Sequence, residues 1–226
     1  MGETEVSSES ELYVEDFSDR FNPLLNVIHE IVENSKSPII LALEGRCGSG
    51  KTTLSTILKE KFDCNVIQMD DFFLPPNLRT AERLGKPGGN IHYERFLEEL
   101  DVPLKKGEPI SYNAFQCWDN SYSKVDLQAT KLTIIEGVYS LHPKLHSIYD
   151  YKVFLKMSSE EQIRRLTIRN EEKLEKFIST WIPLEEKYYT SFHIEESCDL
   201  IFNTETCSVN VNADAHIFQK EMSQIE

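Results

Sequence analysis

Hydrophobic positions along the chain fall into short unbroken runs separated by stretches of helical spacing. The first such stretch, "FSDRFNPLLNVIHEIVENSKS", carries Leu24, Leu25, Ile28, Ile31 and Val32 on one face, predicting an amphipathic helix. Ser18 or Asp19 is placed to cap its start, and Pro38 lies just past its end. Four apolar runs without alternation follow: "PIILALE", "CNVIQMD", "KLTIIEG" and "YKVFLKM", with a shorter fifth, "CDLIFN". Runs of this kind suit strands covered on both faces, as in a parallel sheet. Helical patterns separate several of them, at Thr52 to Lys61, Tyr93 to Leu100 and Ser159 to Asn170, the last opened by Ser158 with Glu161 three residues on. Strands alternating with helices predict βαβ units and an α/β fold. No internal repeat and no Gly/Ser-rich linker breaks the pattern, so residues 17–226 read as a single domain, preceded by a flexible acidic N-terminus over residues 1–16.

Charge narrows the function classes. A net charge of −14 over 226 residues argues against nucleic acid or an anionic membrane as partner, because each needs a basic footprint. No apolar run approaches the roughly 20 residues that span a bilayer, and no signal-peptide pattern opens the chain. Five cysteines, widely spaced and without a CxxC pair, read as reduced thiols of a cytoplasmic protein.

The chemistry-bearing stretch is "LEGRCGSGKTTL". Gly45 through Thr52 fits G-x-x-x-x-G-K-S/T position for position, after a strand and before a helix, as a phosphate-binding loop requires. Its glycines (Gly45, Gly48, Gly50) let the backbone wrap phosphates, with Cys47, Ser49 and Thr53 completing the contact set. Lys51 meets the β- and γ-phosphates, and the Thr52 hydroxyl ligates Mg²⁺. ATP with Mg²⁺ is the expected ligand pair.

In a parallel sheet, functional groups gather at the carboxyl ends of strands. Asp70 and Asp71 follow the second strand, and Glu136 ends "LTIIE". Asp70 suits the base that orients an attacking hydroxyl, and Glu136 suits a carboxylate that organises the metal. Each also has a plainer reading, Asp70 as a turn residue and Glu136 as a loop carboxylate beside Gly137. Glu44 reads as structural. Arg165 and Arg169 share a helix face and could neutralise a transferred phosphoryl, or simply pair with nearby glutamates. Residues 170–180 read as a mobile lid that excludes water. A long irregular region between the second and third apolar runs, with His92, Tyr93, Tyr112, Phe115, Trp118 and Tyr122, is the expected acceptor pocket, or else ordinary packing under a loop.

The glycine loop, "MDDFF", "GKPGGNIHYERF", "PISYNAFQCW", "IIEGVY" and "IRRLTIRN" occur in the order found in the uridine kinase and phosphoribulokinase-like family of P-loop kinases, which the chain resembles over about residues 38–203. That resemblance implies a three-layer P-loop kinase fold: a five-stranded parallel sheet in the order 2-3-1-4-5, helices on both faces and a small lid. It also implies transfer of the ATP γ-phosphate to a hydroxyl of a small molecule, with homo-oligomerisation left open. Asp70 matches the family's base, Glu136 the acid near the metal, Tyr112 the tyrosine of its substrate segment, and Arg165 and Arg169 its lid arginines. Departures fall in the acceptor site: His92 stands where a ribose-binding aspartate is expected, Cys117 where a base-reading histidine is expected, and Phe73 replaces a tyrosine. Uridine is therefore an expected poor acceptor, and another alcohol, such as a different nucleoside, a sugar or a vitamin precursor, stays open as the substrate. No N-K-x-D motif of a GTPase or L-S-G-G-Q signature of a transporter ATPase occurs. The competing reading is a nucleotide-binding regulatory module without chemistry.

Overall fold

A computed structural model describes residues 19–212. The expectation of a flexible N-terminus over residues 1–16, and Ser18 as a cap, lie outside the described residues.

Helix α1 (Asn22–Asn34) buries Leu24, Leu25, Ile28, Ile31 and Val32, the face set by its spacing. Asp19 does not cap it; Phe21 occupies the N-cap without a side-chain bond, and Asp19 Oδ1 accepts instead from Asn22 Nδ2 at 3.0 Å. Strand β1 (Ile39–Gly45) is buried throughout. It leads through the glycine loop into α2 (Lys51–Lys61), and β2 (Cys64–Gln68) follows. Next come α3 (Tyr93–Lys106), β3 (Ile110–Gln116) and β4 (Ser121–Leu127). The chain then runs through β5 (Leu132–Glu136), β6 (Tyr151–Lys156), α4 (Ser159–Arg169), α5 (Ile182–Phe192), β7 (Leu200–Asn203) and β8 (Ser208–Val211).

The main sheet has six strands in the order β2-β5-β1-β6-β7-β8. Its first five are parallel and reproduce the expected 2-3-1-4-5 arrangement. The expected count of five is corrected by β8, which returns antiparallel to β7 from Val211↔Leu200 to Ser208↔Asn203. Its segment, Ser208–Val211, is short and mostly exposed, so it lacks the apolar run of a central strand.

Alternation along β1 divides the core. Ile39, Leu41 and Leu43 pack with α1 and with Leu54 and Leu58 of α2 on one face. Ile40 and Ala42 pack with Phe96 and Leu100 of α3 and with Tyr188 and Tyr189 of α5 on the other. The result is a three-layer α/β fold.

The region read as irregular is more ordered than expected. Helix α3 runs to Lys106, past Leu100 and through Pro103, and closes on Gly107 in the left-handed region (φ 63°). β3 and β4 form a separate two-stranded hairpin. Residues 170–180, read as a lid, are helical: a 3-10 turn at Glu171–Lys173, a short helical turn at Leu174–Lys176 and a π-turn at Phe177–Trp181 lead directly into α5.

Candidate functional site

Parallel register brings three chain segments to one edge. Glu136 of β5 lies level with Leu43 of β1 and with Gln68 of β2, so the glycine loop, the turn after β2 and the end of β5 converge. Gly137 permits the approach: a Cβ there would come within 2.7 Å of the Met69 Cβ, and its φ of +140° excludes other residues without strain.

The loop is shaped by the same requirement. Gly45 has φ +147°, and a Cβ on it would lie 2.6 Å from the Leu155 carbonyl oxygen. Lys51, largely buried, donates from Nζ to the carbonyls of Gly45 (2.6 Å) and Arg46 (3.2 Å). Among the described residues no carboxylate pairs with it, so its charge is available to an anion. Thr52 opens α2 and donates from Oγ1 to Glu136 Oε1 at 3.1 Å. Thr53 is exposed in the same first turn, and Ser49 is fully buried with its hydroxyl unpartnered. A hydroxyl beside a carboxylate is a donor set for a hard divalent cation, and a glycine cradle with a lysine and a helix N-terminus suits a polyphosphate. The residues present thus fit both ATP and Mg²⁺. Burial raises the Glu136 carboxyl above its ordinary range, while Lys51 and the Thr52 bond pull it back.

Asp70 and Asp71 do not sit on an extended strand end. Residues Met69–Phe72 form a 3-10 turn, and the two carboxylates part company there. Asp70 is exposed to solvent; surrounding protein raises its carboxyl, and Lys51 and Arg169 act the other way. Asp71 accepts from the Tyr112 hydroxyl at 2.8 Å, and its carbonyl accepts from Arg95 at 2.5 Å. Tyr112 therefore meets Asp71 rather than Asp70.

The two arginines on α4 also separate. Arg165 is engaged by Glu161 (2.6 Å) and donates to the carbonyls of Gly48 (3.5 Å) and Thr204 (3.4 Å). Arg169 is exposed, pairs with no carboxylate among the described residues, and acts electrostatically on Asp70 and Cys47.

The expected acceptor residues gather beyond the Asp70 turn. Phe73 bridges to Ile91, and the His92 N–H donates to the Phe72 carbonyl at 2.7 Å. His92 Nδ1 is buried without a partner, and burial lowers the imidazole's pKa. Cys117 follows β3; burial raises its thiol, opposed by a hydrogen bond with Arg79. Arg79, fixed through Nε to the Leu74 carbonyl at 2.7 Å, also pairs with no carboxylate among the described residues.

Sequence reasoning missed Glu185 and Glu186, while Glu44 is structural as expected. Glu44, read as structural, is fully buried and accepts from the Gly45 and Leu141 amides and from Ser140, Tyr188 and Tyr189 hydroxyls, at 3.0 to 3.4 Å. Glu185 of α5 accepts from the Cys47 N–H at 3.0 Å, and Glu186 pairs with Arg46 at 2.5 Å. Pro183 in the first turn of α5 was the available start signal.

No protein-family model matches the chain. Curated relatives do: a uridine kinase of Ureaplasma parvum is 24% identical over 174 residues, 70% of this chain and 84% of its own length. A uridine kinase of Clostridium novyi is 27% identical over 143 residues, 59% of this chain and 68% of its own length. Among solved structures, one of a possible uridine kinase from Bacillus stearothermophilus superposes with a TM-score of 0.64 at 19% identity, covering 83% of this chain and 99% of that one. The resemblance read from motif order holds, and the fold is that of the P-loop kinases.

Proposed function

We propose that the protein is a single-domain, ATP- and Mg²⁺-dependent kinase that transfers the γ-phosphate to a hydroxyl of a small molecule. One observation carries this reading: Lys51, Thr52, Glu136 and Asp70 converge at one sheet edge, with the Thr52–Glu136 bond joining loop and β5 at 3.1 Å. Curated relatives at 24% and 27% identity are named uridine kinase.

Each group has a task. The loop amides of Gly48 and Gly50 and the Lys51 ammonium bind the polyphosphate, with Thr53 at its margin, while the Gly45, Cys47 and Ser49 amides donate within the protein and shape the cradle. Thr52 and Glu136 would hold Mg²⁺, which would supply positive charge to offset that of the polyphosphate. Asp70, exposed beside the loop, accepts the acceptor's hydroxyl proton, and Arg169 stabilises charge on the transferred group. Arg165 acts from the Gly48 side of the loop. Phe73, His92, Tyr112 and Cys117 shape the acceptor pocket, where the uridine-reading pattern is replaced, so the acceptor is a different alcohol. Five widely spaced cysteines without a CxxC pair support a cytoplasmic enzyme.

Lys51→Ala tests the reading. Binding of ATP weakens and transfer is lost, since a charge-assisted contact is worth about 1.5–3 kcal/mol. Unchanged ATP affinity and turnover would overturn it. A nucleotide-binding module without chemistry predicts ATP binding with no acceptor-dependent turnover.

A further inference from the structure

Two buried side chains clamp one residue of the phosphate loop, each holding one of the two peptides that flank Cys47. Gln162 of α4 donates from Nε2 to the Cys47 carbonyl at 3.1 Å, and Glu185 of α5 accepts from the Cys47 N–H at 3.0 Å. They are 1% and 5% exposed, so neither contact is a solvent-side accident. The neighbouring Arg46–Glu186 pair, at 2.5 and 3.1 Å, fixes α5 to the loop at the preceding residue.

A carboxylate on this amide is unexpected. Loop amides of this type ordinarily face anionic ligand oxygens. Glu185 instead takes one donor with a charge of the same sign as the nucleotide. Its place in the site follows from the 3.0 Å bond to the Cys47 N–H and the adjoining Arg46–Glu186 pair, which seat the carboxylate against the glycine loop four residues before Lys51; the Cys47 thiol, raised by burial, feels Lys51, Arg169 and Asp70 as well. Glu185 thus stands among the groups assigned to the transferred phosphate. Lys51 in turn draws the Glu185 carboxyl down against the effect of burial.

We propose that Glu185 is a positioning residue that fixes the Cys47 peptide and, by its charge beside the γ-phosphate position, sets the loop's preference between nucleoside tri- and diphosphate. The inference rests on the kinase reading above. A triphosphate brings more negative charge toward Glu185 than a diphosphate does, so the carboxylate penalises ATP more than ADP.

The test compares Mg·ATP and Mg·ADP affinities by calorimetry on the full chain. Glu185→Gln keeps an oxygen acceptor for the Cys47 N–H but removes the charge. It raises the ADP-to-ATP ratio of Kd values about five-fold or more. Glu185→Asp keeps the charge but shortens the reach: the ratio stays at the wild-type value while acceptor-dependent kcat falls about ten-fold or more. A ratio unmoved by Glu185→Gln, or moved as far by Glu185→Asp, overturns the inference. Should Glu185→Gln fail to fold on thermal melting, Glu185→Asp decides alone: a wild-type ratio with reduced kcat supports the inference, and an altered ratio or wild-type kcat overturns it. Failure of the kinase reading is distinguishable, because wild-type protein would then bind no ATP, or Lys51→Ala would bind it equally well.

Discussion

Thr52 and Glu136, 84 residues apart, are joined by a 3.1 Å hydrogen bond from the threonine hydroxyl to the carboxylate. Helix α2 and strand β5 thereby present one hydroxyl and one carboxylate to the same point. Glu136→Gln keeps the geometry and removes the charge. The Mg²⁺ concentration giving half-maximal ADP formation is expected to rise about 10–100-fold, the usual effect of losing a metal-organising partner. An unchanged Mg²⁺ titration would remove Glu136 from the metal site.

The 3-10 turn at Met69–Phe72 separates the proposed base, Asp70, from its neighbour Asp71. Asp71 is tied to Tyr112 at 2.8 Å, whereas Asp70 is left exposed. Asp71→Asn is therefore expected to slow transfer less than Asp70→Asn does. Tyr112→Phe is expected to lower stability by about 1–3 kcal/mol, because the Asp71 carboxylate loses its hydroxyl donor. Urea unfolding measures this, and a variant as stable as wild type would show that the bond contributes nothing net.

Burial lifts Glu44 from its ordinary 4.5 to about 7. A carboxyl that binds its proton more tightly when folded favours the fold at low pH. That contribution is complete below pH 4.5 or so, falls away as pH rises toward about 7, and is flat above. Its size is on the order of 3 kcal/mol. Glu44→Gln removes the titration, so between pH 5 and 8 the wild type loses stability relative to the variant. Parallel unfolding profiles for the two proteins would contradict this. Absolute stabilities do not decide the matter, since the glutamine amide faces donors at Gly45 and Leu141.

Acceptor chemistry gives a further expectation. With His92, Cys117 and Phe73 in place of the uridine-reading pattern, kcat/KM for uridine is expected below about 10⁴ M⁻¹s⁻¹ in steady-state kinetics. A higher value would show that the pocket reads uridine through other groups.

The sheet order and the phosphate loop were legible because fully buried strands leave unbroken apolar runs and because a cradle for phosphate demands glycines at fixed spacing. β8 and β4 were not. Their segments are largely exposed, and an exposed strand paired on one edge leaves no apolar run. β3 did carry a signal, since Ile110, Tyr112 and Ala114 alternate with exposed Ser111 and Asn113. In the site, Lys51, Thr52, Asp70 and Glu136 could be read from local motifs. Glu185 could not, because its contact with Cys47 spans 138 residues and depends on how α5 crosses the loop. Glu44 was visible but its hub of five donors was not, as those come from Gly45, Ser140, Leu141, Tyr188 and Tyr189.

Phosphoryl transfer itself is tested most directly by acceptor-dependent ADP formation over a panel of nucleosides, sugars and other small alcohols, run with wild type and Asp70→Asn side by side. At least one acceptor is expected to stimulate ADP formation by the wild type. Asp70→Asn is expected to lower that kcat about 10²–10⁴-fold with ATP binding retained. ATP binding without stimulation by any acceptor, or an Asp70→Asn variant that turns over like the wild type, would contradict the kinase mechanism.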